Sequence, residues 1–201
     1  MNQMTFYTHP QSRSRVVDIM LAELGIDCER VQLEYGTSMK APEYLAINPF
    51  GKVPALVDGE VVIYELAAIC AYLADKYADK GLAPALNDPK RGLYYRWFFM
   101  VAGPWSMATT DQVLGATPTK EQEGFVGYGN YETALNALIS GLSEASPYLC
   151  GEQFTAADVF VGSHLMYMLS FQRLEPHPVI LRYTDHLKQR PSFQAAFAPN
   201  P

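Results

Sequence analysis

Apolar positions along the first eighty residues switch between two rhythms. Short runs rich in β-branched and aromatic residues, Met4 to Tyr7, Cys28 to Leu33, Val53 to Val57 and Val61 to Ile63, predict strands. Ser12 to Leu24 instead carries Val16, Ile19, Met20 and Leu24 on one helical stripe, with Gly25 as its stop signal. Pro42 to Ile47 predicts a short helix and Glu65 to Tyr77 a longer one. Asp58-Gly59 marks the turn of a hairpin between the last two strands. Strands and helices that alternate in this way are the mark of βαβ construction.

The rhythm changes after Lys80. The stretch Gly81 to Pro89 is rich in turn formers, and beyond it helical periodicity dominates. A domain boundary is therefore expected here, with an α/β domain over 1–80 and an all-helical domain over 88–201. Helices are predicted near Lys90 to Leu114, Glu121 to Glu144, Ala156 to Phe171, Val179 to Gln189 and Ser192 to Phe197, punctuated by Pro118, Pro147, Pro176, Pro178 and Pro191. Thr155-Ala156-Ala157-Asp158 is a capping-box pattern with Phe154 placed as a hydrophobic staple, which gives Asp158 a structural task.

Bulk properties narrow the function. A chain of 201 residues suffices for a real hydrophobic core in one domain or two small ones. The net charge is −6 with scattered Lys and Arg, which argues against nucleic acid or an anionic membrane as partner and leaves any anionic ligand to local donors. No basic segment followed by an apolar one opens the chain, and the longest apolar stretch, Val61 to Ala74, is broken by Glu65, so neither a signal peptide nor a membrane span is expected. Three cysteines, Cys28, Cys70 and Cys150, form no CxxC pair and point to the reducing cytoplasm. His9, His164, His177 and His186 fall on separate elements, so no metal site is expected, and no glycine-rich phosphate loop is present.

The most informative stretch is Asn48-Pro49-Phe50-Gly51-Lys52-Val53-Pro54-Ala55-Leu56. Pro54 cannot donate to a strand ladder, so the backbone at this step is free to meet something else. An edge strand opening on a trans proline and a cis Val53-Pro54 step both fit the residues, the cis form costing only about 0.5–1 kcal/mol. Together with Tyr7-Thr8-His9-Pro10-Gln11-Ser12, Lys40 to Leu45 and Glu65-Leu66-Ala67-Ala68-Ile69, the stretch resembles the glutathione-binding domain of the glutathione S-transferase superfamily, in order and spacing across nearly the whole chain.

That resemblance implies a thioredoxin-like α/β domain followed by an all-α bundle, and a cytoplasmic homodimer using glutathione as co-substrate without a metal. It implies that Val53, before Pro54, pairs its main chain with the cysteinyl backbone of the tripeptide. Glu65 would accept from the ligand's amine, and the N–H of Leu66 would receive the adjacent carboxylate at the positive end of a helix. Lys40 and Lys52 lie where some classes hold the glycyl carboxylate. Ser12 matches the activating hydroxyl of serine-type members, with Arg13 and Ser14 as alternatives for the thiol contact. Phe50 stands where some classes project an aromatic side chain into the partner subunit. The second substrate would be a small hydrophobic electrophile, with Trp105 and Met107 facing its pocket. The family commonly carries Ser or Thr where this chain has Leu66, which removes a hydroxyl from the carboxylate grip. A non-catalytic binding or regulatory protein, and a glutathione-dependent isomerase or dehalogenase, share the same first domain.

Overall fold

A computed structural model describes residues 4–198. The strands are β1 (Thr5–Thr8), β2 (Glu29–Gln32), β3 (Ala55–Asp58) and β4 (Val61–Tyr64). The α-helices are α1 (Arg15–Leu24), α2 (Pro42–Leu45), α3 (Leu66–Lys76), α4 (Lys90–Met100), α5 (Ser106–Leu114), α6 (Tyr131–Ser143), α7 (Ala156–Ser170), α8 (Pro178–Leu187) and α9 (Pro191–Phe197). They sort into two compact units, one made of the chain up to Gly81 together with the segment from Pro191 on, the other of Leu82–Arg190. Helix α9 thus joins the first unit, whereas the sequence reading grouped everything from 88 to 201. The reason is packing: Phe193 is fully buried, α9 lies against α1, Ser192 Oγ donates to Glu23 Oε1 at 2.5 Å, and Arg15 Nη1 donates to the carbonyl of Ala196 at 3.4 Å.

In the first unit the four strands form one sheet in the order β2-β1-β3-β4, with β1 parallel to β2 and antiparallel to β3, and β3 antiparallel to β4. Phe6 and Leu56 face each other across β1 and β3 and are fully buried. The α1 stripe of Val17, Ile19, Met20 and Leu24 and the α3 stripe of Ile69, Cys70 and Leu73 are buried as well, and the two helices pack together. Each such side chain removed from water contributes about 1.5–3 kcal/mol before entropy is counted. A second cluster on this unit gathers Leu33, Met39, Tyr44 and Ala55, with Tyr7, Val31, Val53 and Tyr64 packed against it.

Three elements differ from the sequence reading. Helix α1 begins at Arg15 rather than Ser12, because the Ser12 and Ser14 hydroxyls bond each other and the local backbone, a turn-forming use of serine that competes with the helix. The hairpin turns at Gly59-Glu60, one residue later than expected, because Asp58 pairs with Val61 in the ladder and its carboxylate accepts from Tyr72 Oη at 2.6 Å and from Lys76 Nζ. Residues 121–130 form turns instead of the first half of a helix: Gly124, Gly127 and Gly129 weaken helix formation, and Asn130 starts α6 afresh by accepting from the Thr133 N–H at 2.9 Å.

The second unit is helical as expected. Pro104 lacks the N–H that an α-helix needs, and Val101–Trp105 widens into a π-helical turn between α4 and α5, with Ser106 Oγ donating to the Val101 carbonyl at 2.7 Å and Thr109 Oγ1 to the Trp105 carbonyl at 3.0 Å. Gly141 admits the Trp97 ring against α6, since a Cβ there would stand 2.9 Å from it. Helix α7 is buried on nearly every side. Asp158 in its first turn is fully buried and accepts from the Thr155 N–H and the Leu149 N–H, each at 2.9 Å, and from Tyr183 Oη at 2.9 Å. Burial pushes its carboxyl up to about 6 against the opposing pull of these donors. No helix among the described residues is long and apolar enough to cross a membrane.

Candidate functional site

The sheet register brings separate sequence blocks to one end of the first unit. Tyr7 pairs with Ala55 and Ala55 with Tyr64, so the end of β1, the start of β3 and the end of β4 coincide. What leaves or enters the sheet there is the turn from His9 to Ser14, the Val53-Pro54 step and Glu65 with the first residues of α3. The parallel strand β2 ends at the same edge, which sets Tyr35 against His9 with ring centroids 4.3 Å apart.

The peptide between Val53 and Pro54 is cis, one of the two geometries the sequence left open. Val53 packs its side chain on the Tyr44 cluster, while neither its N–H nor its C=O has a partner among the described residues. The preceding carbonyl is the opposite case: Lys52 C=O accepts from Tyr44 Oη at 2.6 Å and from Asn48 Nδ2 at 2.7 Å. Asn48 is buried and its Oδ1 accepts from the Phe50 N–H at 3.1 Å. Burial raises the Tyr44 phenol to about 12, which keeps it a donor throughout the neutral range. Gly51 holds φ at 56°, and a Cβ there would come within 2.6 Å of the Met39 carbonyl oxygen, so only glycine lets the loop pass. Lys40 Nζ donates to the Phe50 carbonyl at 3.0 Å and the Lys52 side chain is exposed, which sets two cations along the same loop.

Ser12 precedes α1 in a tight turn. Its N–H and its Oγ both reach the His9 carbonyl, at 3.0 and 2.7 Å, and Oγ accepts from the Ser14 N–H at 3.0 Å and lies 2.7 Å from Ser14 Oγ. Ser12 is half-buried, whereas Ser14 is completely enclosed and Arg13 is exposed. His9 Nδ1 accepts from the Gln11 N–H at 3.1 Å, which leaves its proton on Nε2, 3.6 Å from Glu34.

Glu65 has a φ of 75°, a left-handed backbone that costs a residue with a side chain about 1–3 kcal/mol. It exposes a carboxylate that has no partner among the described residues, at the mouth of α3. The first bond of that helix runs from the Ile69 N–H to the Glu65 carbonyl at 3.0 Å, so the N–H groups of Leu66, Ala67 and Ala68 have no partner among the described residues, and an anion is favoured there.

Residues 2–75 match the family model for the glutathione S-transferase N-terminal domain. Glutathione S-transferase 3 of Zea mays is 31% identical over 222 residues, an alignment covering 100% of this chain and 96% of the relative. The chain belongs to the glutathione S-transferase superfamily. Glutathione S-transferase Z2 of Arabidopsis thaliana is similar at 30% identity, over 90% of this chain and 83% of its own. Among solved structures, a glutathione transferase from Methylococcus capsulatus shares the fold with a TM-score of 0.76 at 27% identity, covering 96% of both chains. One from Phanerochaete chrysosporium, in complex with oxidized glutathione, gives 0.76 at 26% identity over 97% of this chain and 94% of that one. The mixed four-stranded sheet followed by a mostly helical part is the glutathione S-transferase fold.

For a chain of this superfamily, the residues singled out in the sequence fall into three groups. Ser12, Val53, Pro54, Glu65 and Leu66 come to one end of one sheet, and Lys40 and Lys52 flank the loop that carries Val53. Trp105 lines a cavity of about 240 Å³ in the second unit, with Met100, Pro104, Tyr128 and Ala137, whereas Met107 is 49% exposed and takes no part in its wall. Phe50 is 61% exposed with its ring edge-on to Tyr64 at 6.0 Å. Tyr44 and Asn48 fall within the Lys40–Leu45 and Asn48–Leu56 blocks singled out in the sequence, but neither was given a role at the site. Among the described residues no group of three or more His, Cys, Asp or Glu could hold a metal ion.

Proposed function

We propose that this chain is a serine-type glutathione transferase. Reduced glutathione adds as a short strand to the open main chain of Val53, its γ-glutamyl amine meets Glu65, and its α-carboxylate meets the N–H groups of Leu66 and Ala67. Lys40 and Lys52 receive the glycyl carboxylate. A free thiol has a pKa near 8.5, and lowering it by about two units takes roughly 2.7 kcal/mol of preferential stabilisation of the anion. Ser12 supplies that by turning its hydroxyl proton from the His9 carbonyl to the sulfur. The Ser12 N–H stays on the carbonyl, so nothing there is left bare. The thiolate then attacks a small hydrophobic electrophile, or serves a thiol-dependent reduction, in the cytoplasm. The exposed Phe50, whose ring meets Tyr64 of the edge strand β4, supports a homodimer built on that surface.

The observation that carries the reading is the meeting, at one sheet end, of an unpaired strand backbone, a free carboxylate and an open helix start. Each matches one group of the tripeptide. Leu66 supports a second reading, a family member kept as a binding module without turnover. Thiolate absorbance followed against pH, with and without reduced glutathione, tests the first. The protein's own thiols stay silent near neutrality because burial pushes Cys28 and Cys70 up and Cys150 up to about 11. The expected result is a bound thiol ionising well below 8.5 and moving back by one to two units in Ser12→Ala. No ligand-dependent signal at millimolar glutathione would move the conclusion to the second reading.

A further inference from the structure

We propose that Tyr44, seconded by Asn48, is a positioning residue for glutathione, acting through the Lys52 carbonyl on the N–H of Val53. The inference rests on the glutathione reading above and deepens it. Lys52 C=O and Val53 N–H are the two ends of one planar trans peptide and point in opposite directions. Whatever fixes the carbonyl fixes the N–H. Tyr44 Oη at 2.6 Å and Asn48 Nδ2 at 2.7 Å take up both lone pairs of that carbonyl from within the protein, so the N–H on the other side is held outward.

The surroundings make this a support rather than a chance contact. Tyr44 is buried at 3% exposure in the cluster on which the Val53 side chain also packs, with its ring 5.4 Å from Tyr7. Its hydroxyl is the only polar atom of its side chain, and that atom is spent on a loop carbonyl eight residues away. Asn48 is buried at 3% and divides its amide between the two ends of the same loop, holding the Phe50 N–H with one atom and the Lys52 carbonyl with the other. The loop itself has no ladder bonds before Ala55. Without the clamp the peptide plane rotates, and a ligand must pay the entropy of stopping it; with the clamp the bond to the ligand's cysteinyl carbonyl is ready in advance.

Calorimetric titration separates this role from a merely structural one. Three proteins are compared, the native chain, Tyr44→Phe and Tyr72→Phe, the last removing a tyrosine hydroxyl that serves Asp58 in the same unit. Each is titrated with reduced glutathione and with its thiol-free analogue, in which α-aminobutyrate replaces cysteine. Tyr44→Phe is expected to weaken both ligands equally, by about fivefold and at most tenfold, the worth of one neutral hydrogen bond. The pKa of the bound thiol stays where it was. Tyr72→Phe lowers the melting temperature and leaves both affinities unchanged. Native binding with an unaltered Kd in Tyr44→Phe overturns the clamp alone, as does a loss confined to the thiol-bearing ligand. Failure of the native protein to bind either ligand overturns the glutathione reading and the clamp with it.

Discussion

Asp158 and Glu65 each stand at the start of a helix, and they are used in opposite ways. Asp158 stands in the first turn of α7, fully buried, with both carboxylate oxygens taken by Thr155, Leu149 and Tyr183. Glu65 stands before α3, exposed, on a backbone with φ of 75°, and no group among the described residues bonds its carboxylate. One acid has every valence satisfied from inside; the other is held out at an energetic cost with its valences open. Groups that stabilise a fold are saturated by the fold, and groups that meet a ligand are left wanting.

The sharpest way to break this contrast is to remove Asp158. Asp158→Ala strands four buried donors, the N–H groups of Leu149 and Thr155 and the hydroxyls of Thr155 and Tyr183, and is expected to cost on the order of 3–5 kcal/mol, or about 10 °C in melting temperature, with glutathione affinity of the folded fraction unchanged. Its titration has a defined sign. The folded carboxyl ionises near 6, above the 3.8 of the unfolded chain, so between these values the folded state holds more protons. Stability of the native chain relative to Asp158→Asn therefore falls as pH rises from about 4 to 6 and then levels. Denaturant melts across that range read the difference directly.

Glu65→Ala is expected to do the reverse, raising the Kd for glutathione by about tenfold to a hundredfold, since a hydrogen bond to a charged group is worth roughly 1.5–3 kcal/mol. Its melting temperature should hardly move. A large stability loss with unchanged affinity would make Glu65 another Asp158. Smaller still is Leu66→Ser, which returns a hydroxyl to the open helix start and should tighten glutathione by about tenfold in the same calorimetric assay. If affinity does not change, the carboxylate is held by the main chain alone.

Much of this could be seen in the residues beforehand, for physical reasons. The strand and helix rhythms of the first unit follow from periodicity, and the Asn48–Leu56 block announced a special turn because proline and glycine restrict the backbone locally. Thr155 and Asp158 were legible as a cap because a capping box is a four-residue event. What escaped notice is set by distant partners. The left-handed Glu65 is imposed by the junction of β4 with α3, against its own preference. Tyr44 lies in a short helix that the sequence predicts, but only the fold sets the Lys52 carbonyl against its hydroxyl. The failed helix over 121–130 shows tertiary context and Asn130 overruling a helical rhythm already thinned by glycines.

The placement of α9 has a consequence for how the molecule is made. Because Phe193 and its neighbours finish the cover over α1, the first unit is finished by a segment that is synthesised only after Leu82–Arg190. During synthesis the apolar flank of α1 must wait, exposed, while the whole second unit follows it out. Helices α1 and α9 thus behave as a clasp. In a nascent chain the first unit cannot reach full stability until α9 has emerged behind the second unit.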